Sequence, residues 1–162
     1  MRSSTRIRSP YNLSQKTSET RKKLTMNLEN QNQLTPEEGA TLIEKMRQYC
    51  QSAAFENLFK RQLDFSEASI ARLDNLIAIA WPEPPAHLDT MVGLFGYYLG
   101  ETACRQLNWQ WVAGINGDWH IEAKTVNAMA FPFAKVRRRF LNGTEDSLKS
   151  YYRVLKEMGR AV

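Results

Sequence analysis

Past Asp89 at its start, the apolar segment from Leu88 to Val112 carries a single acid, Glu101, with Tyr97 four residues before it and Arg105 four after. On a helix, that spacing puts the phenol, the carboxylate and the guanidinium on one side. A carboxylate in such a setting has three uses. It can buttress the fold through an i,i+4 pair with Arg105, serve as a general base or ligand contact, or bind a partner. An interior acid needs a partner within the fold, so Arg105, Tyr97 and a tryptophan N–H are the expected ones. His120, which shares a strand face with Glu122, is the further group that could join a polar site made of Tyr97, Glu101, Arg105 and His120. The structural use is the expected one, and no catalytic residue is assigned.

Other chemistries find less support. His87 and His120 are the only histidines, and neither HExxH nor a Cys/His spacing is present, so no metal site is expected. There is no GxSxG elbow, no Cys-His signature and no phosphate-binding glycine loop, so neither a nucleophilic enzyme nor a cofactor is implied. Gly93, Gly96 and Gly100 stand inside an apolar helix instead. Cys50 and Cys104 fall on separate helices without CxxC spacing and read as buried, reduced thiols.

One basic run lies in the body of the chain. On a helix Lys135, Arg138 and Arg139 project away from Phe133, Val136 and Phe140, giving a candidate basic surface, while Arg137 flanks the apolar stripe. The formal net charge of +5 would suit nucleic acid, but its distribution argues otherwise. Residues 1 to 25 carry seven basic residues and one acid, leaving 15 basic and 16 acidic residues in the remainder. The basicity therefore belongs to a Ser-, Thr- and Arg-rich tail, read as disordered over residues 1–30 and as a possible upstream extension before Met26. No apolar run approaches the roughly 18 residues of a membrane span, and no secretory h-region follows the basic start. A cytoplasmic protein without membrane contact is expected.

The remaining elements must position these groups. Thr35-Pro36-Glu37-Glu38 is a capping box with proline at the first helical position, starting a helix predicted to run to about Phe59. Ser66 caps a second helix, with Phe65 and Ile70 as its hydrophobic staple and Ile70, Leu73, Leu76, Ile77 and Ala80 as its buried face. Prolines 82, 84 and 85 end it near Trp81. A third helix, about Leu88 to Leu107 and capped near Asp89, carries Phe95, Tyr98 and Leu99 on one face and three glycines on the other. Those glycines cost about 1 kcal/mol each in helix propensity, so close approach of another backbone is expected there.

A hairpin follows. An Asn116-Gly117 two-residue turn would set Trp111 against Glu122, whereas a five-residue connection, Gly114 to Asp118, pairs Trp111 with Ile121 and Ala113 with Trp119. The longer connection is predicted. A short third strand covers Ala128 to Phe131, a fourth helix Pro132 to Leu141, and a fifth helix is capped by Thr144 and ended by Gly159, with Leu148, Tyr151, Tyr152, Leu155 and Met158 as its stripe. The result is an α+β domain over residues 31–162: three N-terminal helices, a small antiparallel sheet and two C-terminal helices.

The segments Tyr98-Leu99-Gly100-Glu101, the tryptophan strand after it, and Pro132-Phe133 with Val136 and Arg139 together resemble a family of small bacterial proteins of unknown function, over roughly residues 64 to 158. The resemblance supports the fold and brings no activity. The expected function is that of a non-enzymatic protein-binding module, such as an adaptor, regulator or immunity-type protein, with a protein partner. The alternative is a small-molecule-binding protein or enzyme built around Glu101, and the third reading is nucleic-acid binding through the basic tail.

Overall fold

The computed structural model describes residues 36–59, 62–114 and 118–160. The capping residue Thr35, the basic tail and the Asn116-Gly117 pair lie outside the described residues. Within them the chain is α+β, with six α-helices and a three-stranded antiparallel sheet.

The first predicted helix is divided into α1 (Pro36–Cys50) and α2 (Ala53–Leu58). Ser52 causes the break: its hydroxyl accepts from Phe55 N at 3.2 Å and donates to Tyr49 O at 2.6 Å, capping a new helix instead of continuing the old one. Helix α3 (Glu67–Ala80) starts at Ser66 as expected, with Ser69 N donating to the Ser66 hydroxyl. Its buried face differs from the predicted stripe, since Asp74 is buried while Ala80 is exposed.

Helix α4 (Leu88–Gln106) is the centre of the fold, with a continuous buried run from Val92 to Gly100. Asp89 does not cap it; His87 occupies the N-cap position without a side-chain bond, and Asp89 in the first turn instead accepts from Arg137 at 2.6 Å. The backbone approach expected at the glycine face is found at Gly96, while at Gly100 the neighbour is a side chain. A Cβ at Gly96 would sit 2.9 Å from Phe133 Cα, and one at Gly100 would collide with the indole of Trp111. At Gly93 only Met46 and Leu42 side-chain atoms lie nearby, at 3.8 and 3.9 Å, so no close approach explains that glycine.

Strands β1 (Trp109–Ala113) and β2 (Trp119–Ala123) pair in the predicted long-loop register, Trp111 against Ile121 and Ala113 against Trp119. Strand β3 (Met129–Ala130) pairs with β2, giving the order β1-β2-β3. Helix α5 (Pro132–Asn142) begins at its proline and ends at Gly143, whose φ of 75° suits glycine. A 3₁₀ turn, Gly143–Asp146, replaces the predicted start at Thr144, and α6 (Leu148–Arg160) follows. Ser147 supplies the α6 cap, accepting from Ser150 N at 3.2 Å, and the helix runs through Gly159 to Arg160.

An aromatic seam joins these parts. Phe95 of α4 contacts Phe59, Trp81 and Phe140 at ring separations of 5.9, 5.9 and 6.4 Å. Tyr98 ties α4 to the start of α3: Ser69 gives its hydroxyl hydrogen to Ser66 O, leaving Tyr98 to donate to Ser69 at 2.6 Å and accept from Phe65 N at 2.8 Å. Phe65 is held there at φ 58°, a conformation costly for an aromatic residue, with Gln106 donating to its carbonyl at 3.0 Å.

Candidate functional site

Glu101 of α4 reaches β1 through Trp111, which lies against the helix where Gly100 carries no side chain. Both carboxylate oxygens are engaged. Arg105 Nε donates to Oε1 at 2.8 Å and the Trp111 indole N–H donates to Oε2 at 3.2 Å. The Glu101 side chain is 19% exposed and that of Arg105 39%, so the pair lies at the margin of the core. Arg105 also covers the Phe65 ring, its guanidinium carbon 3.9 Å from the centroid.

Tyr97 completes the cluster by stacking rather than hydrogen bonding. Its ring lies parallel to Trp111 at 5.9 Å, and its phenol is pushed well above the ordinary tyrosine range by burial and then by the charge of Glu101. The same two causes push the thiols of Cys50 and Cys104 up to about 12. Both cysteines are free. They therefore stay protonated at neutral pH, the form that is a poor nucleophile.

His120 does not belong to this cluster. Alternation along β2 puts it on the face opposite to Ile121 and Trp111, where it is buried against Phe131, ring to ring 5.5 Å. Its Nε2 lies 3.1 Å from Glu122 Oε1, the same-face neighbour expected from the sequence, and its Nδ1 is buried without a partner among the described residues. No group of three or more His, Cys, Asp or Glu side chains that could hold a metal occurs among the described residues.

The candidate basic surface is largely dismantled by pairing. Lys135 donates to Asp146 at 2.7 Å and is nearly buried, while Arg138 alone of the three extends into solvent, 3.8 Å from the same carboxylate. Arg139, expected on the solvated face, is instead buried. Its Nε donates to Asp74 Oδ1 at 2.5 Å and its Nη2 to the Asp74 carbonyl at 3.1 Å. An acid on α3 draws it inward because a buried carboxylate and a fork of N–H donors satisfy each other.

Asp74 is the polar residue that sequence reasoning missed. Its second oxygen accepts from the Ser147 hydroxyl at 2.7 Å and from Lys149 N at 3.3 Å, so one side chain joins α3, α5 and the start of α6. Burial acts to raise its pKa, but the bonds from Arg139, Ser147 and the α6 amides outweigh that and hold it below the usual carboxylate range. The signal was present: Asp74 stands four residues after Ile70 and three before Ile77, on the apolar stripe itself. No protein-family model, curated protein or solved structure matches this chain.

Proposed function

We propose that this chain acts as a non-enzymatic protein-binding module that docks its partner on the outer face of the small sheet. The observation that carries this reading is the exposure of two large apolar side chains, Met129 in β3 at 54% and Phe131 just past its end at 42%. They share a side of the sheet with Glu122, which pairs across from Met129, and with His120, which touches Phe131. Strand β3 is an edge, and alternation aims the Met129 backbone away from β2. An apolar pair beside an open edge is the arrangement that strand addition or an apolar anchor from a partner exploits.

The condition of the polar groups agrees with this reading. Glu101 has both oxygens bound within the fold, and Lys135, Arg137 and Arg139 each have an acid of their own. Native capture with the full chain tests the proposal. A stoichiometric protein partner is expected with the unaltered chain and is expected to be lost with Met129→Glu/Phe131→Glu. Retention of the same partner by that variant would overturn the assignment of the surface.

A further inference from the structure

A cleft of about 670 Å³ lies between α3 and α6, away from both the Glu101 cluster and the β3 edge. Small residues line it on both sides, Ala68 and Ala71 from α3 and Ser150 from α6. Ile70 and the Tyr152 ring supply the apolar floor, both almost completely buried.

The charges along the cleft are unequal. Glu67 lies on the α3 side, but its carboxylate is bound by Lys156, 2.5 Å away. Lys149 and Arg153, one helical turn apart on α6, both border the cleft and have no carboxylate partner among the described residues. The Tyr152 hydroxyl has no hydrogen-bond partner among the described residues but is closed off from solvent, so the cleft meets the ring and gains no donor from it. The cleft volume falls within the range typical of small-molecule sites, which pair an apolar lining with a few converging polar groups.

We infer that the α3–α6 cleft binds a small organic anion with an apolar body. The anionic head is held by Lys149 and Arg153; the body lies over Ala68, Ala71 and Ile70. Amide NMR shifts of the full chain, followed during titration with hexanoate, hexyl phosphate and neutral hexanol, test this. Saturable shifts at Ala71, Ser150 and Arg153 are expected with at least one of the two anions, the tighter one naming the head group. Lys149→Gln/Arg153→Gln is expected to weaken that binding by about tenfold or more, the loss typical of charge-assisted contacts. Ala71→Leu fills the cleft and is expected to abolish binding. The inference is overturned if neither anion gives saturable shifts at these residues, if hexanol binds as tightly as the anions, or if the charge-removing variant binds as the parent does.

Discussion

At the scale of single residues, two acids in apolar surroundings have different weight. Asp74 is buried with Arg139 and has both oxygens in use, so Asp74→Ala strands a guanidinium in the core and is expected to cost about 3–5 kcal/mol in urea unfolding. Glu101 sits at the core margin with a partner that is over a third exposed, so Arg105→Ala is expected to cost only about 1 kcal/mol. The reverse ranking in unfolding experiments would refute this division. Glu101, Arg105 and Tyr97 were legible because i,i+4 spacing on one helix is a local relation. Asp74 with Arg139 was not, since 65 residues separate them and only the packing of α3 on α5 brings them together. His120 was misplaced for a related reason: sequence shows which residues share a strand face, but not which face meets α4.

At the scale of elements, the glycines of α4 give a paired test. Gly96→Ala sets a methyl against the Phe133 backbone, which cannot move without displacing α5, and is expected to destabilise by more than about 2 kcal/mol. Gly93→Ala meets only ordinary contacts from Met46 and Leu42 and is expected to stabilise by up to about 1 kcal/mol, through helix propensity. Equal melting temperatures for the two variants would contradict the close-approach explanation. Helix positions, the hairpin register and the third strand were readable from periodicity and caps. Two boundaries were not: Ser52 and Ser147 act as caps where Thr144 and an unbroken first helix were expected. In each case a serine's effect depends on what surrounds it, and for Ser147 that includes the distant Asp74.

At the scale of the whole molecule, stability should depend on pH through the depressed carboxyls. Asp74 and Asp146 both titrate below the ordinary aspartate range when folded: burial opposes this, but hydrogen bonds prevail, from Arg139 and Ser147 in one case and from Lys135 and Asn142 in the other. A depressed folded pKa means the unfolded chain binds the proton more readily. The stabilisation is therefore full above about pH 4, the unfolded aspartate value, and is lost as pH falls through the folded pKa. Acid titration of the unfolding free energy is expected to show this loss, with a shallower slope in Asp74→Asn; an unchanged slope would contradict the role given to Asp74.

The central claim is that the interior acids serve the fold and leave binding to the surface. Replacing a functional acid commonly stabilises a protein, because active sites hold groups the fold would not choose. The most direct measurement is therefore the urea-unfolding free energy of Glu101→Gln. Loss of the Arg105 pair predicts a decrease of about 1 kcal/mol, whereas an unchanged or increased stability would contradict the account.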